Sequence, residues 1–182
     1  AANAIPRLLW GDVCPSGKTN ETWAYDLSTN PSYANSGLDG TGSYSNGKGL
    51  YPYDGTLINT VGTFPAYDRV SYVDYSEGIY VGYKWYETAD AEGYWDDVSN
   101  EYGTGYDGVV QYPFGYGLSY TTFSWEVTSH SRKIAANGDI SCTVKVTNTG
   151  SVAGKDVVEL YYSPPYYSGG IEKSAVELGA FA

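Results

Sequence analysis

The sequence has 182 residues and a formal net charge of −11, with 21 tyrosines and 5 tryptophans but no methionine. This length allows one ordinary domain or two small ones, and no apolar run approaches the about 20 residues that a membrane-spanning helix needs. An acidic surface repels nucleic-acid phosphates and anionic lipids, so neither nucleic acid nor membrane is an expected partner. The abundance of Tyr, Trp and Gly favours a β-rich protein with long ordered loops over a helical bundle.

The first segment predicts the end of a helix, followed by turns. Residues 1–10 contain helix-favouring Ala and Leu, and Pro6 limits the extent of the helix. The stretch GDVCPSGK at 11–18 follows and is rich in turn signals. Within it, Asp12 and Lys18 are expected to fix a turn.

The middle of the chain predicts two long loops that flank an aromatic strand. Residues 26–68 are rich in Asn, Ser, Gly and Tyr without periodicity, and so many tyrosines argue against disorder. Residues 70–86 then alternate in character, which predicts a strand. One set of alternating positions comprises Ile79, Val81, Tyr83 and Trp85. A second loop, acidic and rich in Gly, is predicted at 87–108.

The last third of the chain has the clearest strand pattern. Apolar residues alternate with polar ones from Ile140 to Val146, the turn signal Asn-Thr-Gly follows at 148–150, and a second strand is predicted at 156–162. Such strands suggest a sandwich of immunoglobulin or fibronectin type, which needs about seven strands in about 100 residues. Residues 126–182 supply three or four strands, and ELGAFA at the end reads as part of another. The sandwich is therefore expected to be cut short.

Four stretches together resemble one enzyme family. In chain order they are WGDVCPSGKTNETW at 10–23, DYSEGIYVGYKWYE at 74–87, QYPFGYGLSYTTF at 111–123 and VKVTNTGSVAGKDVVELYYSPP at 144–165. They are similar to the C-terminal part of glycoside hydrolase family 3 β-glucosidases, with Lys84 where Arg is commoner. The resemblance implies a mainly β fold: the tail of an α/β-sandwich domain with loop insertions at 1–125, then the first part of a fibronectin type III-like domain at 126–182.

The resemblance also implies a function. The parent would be a retaining β-glucosidase that hydrolyses terminal β-linked glucose from oligosaccharides or glycosides without metal or cofactor. Its catalytic Asp would lie on a (β/α)8 barrel and its acid/base Glu before the Pro-Ser-Gly segment, so no catalytic residue is expected in this chain. The implied partners are the saccharide substrate and the remainder of the enzyme, which would carry the barrel and the missing strands. This chain would give structural support and place aromatic loops at outer subsites, in the cytoplasm or outside the cell.

Several polar residues have a structural interpretation beside the functional one. Glu77, next to the aromatic strand, could be a sugar ligand or a partner for a backbone amide or Lys84. Asp96 and Asp97 are adjacent acids in a Gly-rich loop and are expected to be solvated. His130 lies in the polar run SHSRK and is expected in an exposed loop.

The sequence also supports expectations for two cysteines and two aromatic residues. Cys14 and Cys142 match no metal-ligand spacing, which favours free thiols with Cys142 buried as a small apolar residue and leaves a bridge open. Phe114 and Tyr120 are expected to pack between the sandwich and the preceding domain.

Two other functions fit parts of the sequence. Tyr and Trp on the loops of a β-sandwich also suit a non-catalytic carbohydrate-binding or adhesion module, although a truncated sandwich should not be stable alone. The other hypothesis is a purely structural surface-layer domain, which would have no affinity for saccharides.

Overall fold

The computed structural model describes residues 3–35, 75, 77–134, 136 and 138–182, which form two compact units. The β unit comprises residues 1–20, 114–162 and 178–182, and the aromatic unit comprises residues 21–113 and 163–177. Most of the loop predicted at 26–68, and residues 70–74 of the predicted strand, lie outside the described residues. In chain order the helices and strands are α1 (Ala4–Leu9), β1 (Trp23–Ala24), α2 (Pro31–Asn35), α3 (Tyr83–Ala91), β2 (Val110–Tyr112), β3 (Phe123–His130), β4 (Cys142–Asn148), β5 (Glu159–Tyr162) and β6 (Glu177–Phe181).

The strands pair in small sheets. Within the described residues each sheet has two strands, β1 with β2, β3 with β4 and β5 with β6. None of the described helices is both long and apolar enough to cross a membrane. Small sheets with few helices confirm the mainly β character predicted from the sequence. The domain limits at 1–125 and 126–182 stay a prediction.

The strands predicted after residue 126 are confirmed in the β unit. β3 and β4 are antiparallel, with Trp125 opposite Val146 and Val127 opposite Val144. The Asn-Thr-Gly turn closes β4 as predicted, because the Asn148 Oδ1 accepts a hydrogen bond from the Gly150 N–H at 3.0 Å. β5 and β6 form a second strand pair. Beside it, the Val158 N–H donates to the Ala182 carbonyl and the Ala182 N–H donates to the Val158 carbonyl, both at 2.9 Å.

Lys18 has a partner far along the chain. Its Nζ lies 2.8 Å from the Asp156 Oδ1, and the Trp125 indole N–H donates to the Asp156 Oδ2 at 3.1 Å. The side chain of Asp156 is only 11% exposed. Burial favours a higher pKa for Asp156, but hydrogen bonds from Lys18, the Val157 N–H and Trp125 outweigh burial and lower its pKa overall. The turn motif at 11–18 is thus tied to the strand region through Lys18, while Asp12 is exposed.

Replacing Asp156 with Asn should reduce the stability of the protein at neutral pH by about 1–2 kcal/mol, since a nearly buried charge-assisted hydrogen-bond network is weakened. A lowered folded-state pKa stabilises the fold above the ordinary pKa of 3.8, and this contribution disappears as the pH falls through the folded value. Asp156→Asn should therefore differ from the parent at pH 7, and the difference should shrink as the pH falls below 3.8 through the folded value. Urea denaturation of both proteins across this range measures the difference, and a difference that persists at low pH would contradict the argument.

The aromatic unit has a small core around α3. Its buried side chains are Tyr86, Ala89, Trp95, Val109 and Val110. The predicted strand at 70–86 is wrong over its described end, because α3 begins at Tyr83 after Gly82, whose φ of 56° suits glycine. Tyr86 and Ala89 are three residues apart, so the helix places both on its buried face. Packing of this face overrides the β preference of the aromatic residues.

The two predicted loops are partly regular. Residues 87–91 belong to α3, and Gly105–Gly108 form a short 3-10 helix rather than open loop. Near the start of the first predicted loop, the Asp26 side chain caps a 3-10 helix at Leu27–Thr29. Thr29 and Gly108 of the two 3-10 helices lie in the lining of the pocket described next.

Candidate functional site

A cluster of aromatic side chains lies beside α3. The Tyr94 ring centroid lies 4.7 Å from that of Trp95 and 5.6 Å from that of Trp85, both in edge-to-face contact. The Trp85 indole N–H donates to the Thr29 carbonyl at 2.8 Å, and the Trp95 indole N–H donates to the Tyr86 carbonyl at 3.3 Å. Because both indole donors bind backbone oxygens, these tryptophans are fixed parts of the core.

A pocket of about 420 Å³ lies against one side of this core. Its rim carries Tyr25 and Tyr102, whose rings stack with centroids 4.0 Å apart and planes 6° apart. Tyr25 is 38% exposed and Tyr102 is 53% exposed, so the pair faces solvent. The lining also includes Asp26, Asn100 and Trp95.

The polar groups of the pocket are held by the backbone. The Asp26 Oδ1 accepts a hydrogen bond from the Ser28 N–H at 2.8 Å, and this bond lowers the pKa of Asp26. The Asn100 Oδ1 accepts from the N–H groups of Tyr102 and Gly103. Asn100 therefore fixes the loop that presents the Tyr102 ring.

Three glutamates near α3 accept hydrogen bonds from side chains of the same unit. Lys84 Nζ lies 2.6 Å from the Glu177 Oε2, and this interaction lowers the pKa of Glu177. Glu172 accepts from the Tyr80 hydroxyl at 2.5 Å, a hydrogen bond that raises the pKa of Tyr80 to about 12. Glu77 accepts from the Ser32 hydroxyl at 3.0 Å, so a side-chain hydroxyl is one of its partners.

Three described carboxyl groups have pKa values that do not suit a general acid. A general acid in a glycosidase needs a raised pKa so that it holds its proton at working pH. Asp26, Asp156 and Glu177 instead have lowered pKa values. Over the described part of the chain, no group of three or more His, Cys, Asp or Glu side chains could hold a metal ion.

The structure places the other candidate residues apart from this pocket. Asp96 and Asp97 are exposed, as expected, and His130 is exposed but ends β3 rather than lying in a loop. Cys14 and Cys142 are free thiols; Cys142 is half-buried in β4, and Cys14 lies 3.3 Å from the Ser119 hydroxyl.

The motif PFGYGLSYTTF is less buried than expected. Phe114 is half-buried, while Tyr120 is 49% exposed and donates from its hydroxyl to the Leu8 carbonyl at 2.7 Å. Sequence reasoning missed the Tyr25–Tyr102 pair altogether. Their sequence separation leaves no local pattern that marks them, although the turn residues Asn100 and Gly103 signal an ordered loop.

Comparison with known proteins gives a consistent result. No protein-family model matches the sequence. β-Glucosidase A of Butyrivibrio fibrisolvens is 35% identical over 191 residues, which covers 98% of this chain and 18% of the relative. Thermostable β-glucosidase B of Acetivibrio thermocellus is 34% identical over 159 residues, covering 87% of this chain and 15% of the relative.

Solved structures agree with the curated relatives. The β-glucosidase of Paenibacillus barengoltzii has a TM-score of 0.62 and 35% identity, covering 98% of this chain and 14% of its own. The GH3 β-glucosidase of Bifidobacterium adolescentis has a TM-score of 0.63 and 27% identity, covering 99% of this chain and 19% of its own. The chain thus spans less than a fifth of each of these four proteins. The resemblance predicted from the motifs is confirmed: nearly the whole chain is related, in sequence and in structure, to one segment of the β-glucosidases of glycoside hydrolase family 3.

Proposed function

We propose that this chain is a supporting segment of a retaining β-glucosidase that hydrolyses terminal β-linked glucose from oligosaccharides or glycosides. The observation that carries the proposal is the match to β-glucosidases over 98–99% of the chain. The β-glucosidase of Kluyveromyces marxianus, which the chain matches with a TM-score of 0.62 and 29% identity, was solved in complex with glucose. We propose that the complete protein also binds glucose.

Within that protein the chain would supply no catalytic carboxyl. A retaining mechanism needs a nucleophile and a separate acid/base residue on either side of the scissile bond. The lysine partners and lowered pKa values of Asp156 and Glu177 support structural roles for these two groups. The catalytic pair would then come from the rest of the enzyme, which would include the (β/α)8 barrel.

The fibronectin type III-like assignment of residues 126–182 is part of the proposal. Its support is an open apolar space of about 670 Å³ in the β unit, with side chains from both strand pairs along its walls. Trp125, Val127 and Phe181 line this space and are at least half exposed. A sandwich normally covers such a face with further strands, so the remainder of the enzyme would supply them.

The first test is catalytic. The purified 182-residue chain should show no turnover of an aryl β-glucoside, whereas the chain co-expressed with the remainder of the enzyme should be active. Turnover by the isolated chain that disappears when one of its own acids is replaced would contradict the assignment of a supporting role. Absence of turnover from the assembled protein would contradict the β-glucosidase function.

The non-catalytic carbohydrate-binding or adhesion module is not favoured, because the matched relatives and structures are named β-glucosidases. That module would fold and bind saccharide as an isolated chain, with a cooperative melting transition of its own.

A further inference from the structure

The pocket beside Tyr25 and Tyr102 has surface chemistry that a purely supporting role does not use. We propose that it binds a neutral saccharide, with a pyranose ring stacked on the exposed tyrosine pair and hydroxyl groups bonded to Asp26. The choice of ligand rests on the proposed function, since a β-glucosidase acts on oligosaccharides that contain glucose. The pocket volume of about 420 Å³ lies within the about 300–1,000 Å³ range of ligand sites.

The tyrosine pair is suited to a sugar ring. With planes 6° apart, each tyrosine covers one face of the other, and the exposure of both leaves outer ring surface open to solvent. A tyrosine ring offers an apolar face and a polar tip, which match the C–H face and the hydroxyls of a pyranose. Asn100 holds the Tyr102 backbone through its Oδ1 at 2.9 Å, so the ring is positioned before a ligand arrives.

Asp26 supplies the hydrogen-bond acceptor. One carboxylate oxygen already accepts from the Ser28 N–H, and an ionised carboxylate can accept about four hydrogen bonds in total. Asp26 is exposed, so a ligand hydroxyl can reach it. Its lowered pKa keeps the group ionised in mildly acidic solution.

The charges at the pocket disfavour acidic ligands. Asp26 lines the pocket, and the negative charge of Glu101 beside Tyr102 raises the pKa of that tyrosine. These carboxylates repel phosphorylated or acidic sugars. Metal-ion binding is disfavoured because the described residues present no cluster of three or more suitable ligands.

The test measures binding of cellotetraose to the complete protein by isothermal titration calorimetry, with the catalytic site blocked by an iminosugar. Tyr102→Ala should weaken binding about tenfold, the loss expected for one aromatic stacking contact. Asp26→Asn should weaken binding about fivefold while preserving the cap on Ser28, because a neutral acceptor forms weaker hydrogen bonds. Tyr167→Ala is the matched control, since Tyr167 is an exposed tyrosine of the same unit that does not line the pocket.

Unchanged binding in Tyr102→Ala, or no binding of cellotetraose by the parent at millimolar concentration, would overturn the pocket assignment. An equal loss in Tyr167→Ala would also overturn it, because the effect would then not be specific to the pocket. Aryl β-glucoside turnover is measured separately. Pocket-dependent binding without any turnover would reject the proposed function and still support the saccharide site.

Discussion

Replacing Tyr86 with Ala should lower the free energy of unfolding by about 3–5 kcal/mol, the cost of removing a fully buried aromatic ring. Tyr86 is 1% exposed and stacks against Trp95 with centroids 6.2 Å apart. The core of the aromatic unit is small, so neighbouring side chains have little means of filling the cavity. Urea denaturation of the complete protein, followed by tryptophan fluorescence, measures the change.

Tyr86→Phe is the matched control. It keeps the ring and removes only the hydroxyl, which lies 3.1 Å from the Thr29 Oγ1. Its expected cost is about 1 kcal/mol, the net contribution of one hydrogen bond. Equal losses in both variants would show that the hydroxyl, rather than ring packing, stabilises this core.

Gly117→Ala has the second-largest expected effect, a loss of about 1–3 kcal/mol from overpacking. A Cβ at this position would lie 2.5 Å from the Gly17 carbonyl oxygen and 2.8 Å from the Lys18 Cδ. The oxygen belongs to a backbone segment that is hydrogen-bonded to residues 115 and 116 through Thr19 at 2.8 Å, so it cannot move aside cheaply. The two chain segments must separate to admit the methyl group.

Gly17→Ala tests the same junction from the opposite side. A Cβ on Gly17 meets no atom within 4 Å, and the added methyl group restricts the unfolded chain. This variant should change the stability by less than about 1 kcal/mol and can raise it. A similar loss in both variants, measured by thermal melting, would show that the close approach at Gly117 does not explain its cost.

Much of the β unit could be predicted because its signals are local. Alternation from Ile140 to Val146 and the Asn-Thr-Gly turn each depend on neighbouring residues, and both features appear in β4 and its turn. α3 could not be predicted in the same way. Its aromatic residues satisfy the strand pattern, and only the packing of Tyr86 and Ala89 against distant parts of the chain selects the helix.

The candidate site was less accessible to sequence reasoning. The aromatic composition was compatible with sheet cores, loop packing and sugar stacking alike, and it could not pair Tyr25 with Tyr102, since stacking depends on the tertiary fold. The partners of charged side chains could not be predicted either. Lys84 pairs with Glu177, more than ninety residues away, while Glu77 accepts a hydrogen bond from Ser32. Charge pairs between remote segments leave no periodic signal in the sequence.

The interleaved make-up of the two units constrains how the protein can be recombined. The chain passes from one unit to the other after residues 20, 113, 162 and 177, so each unit is assembled from separate stretches. A crossover between homologues at any single point would divide at least one of the two units between different parents. Chimeras that exchange whole units therefore need four junctions, and loop swaps within a unit are the simpler route to altered specificity.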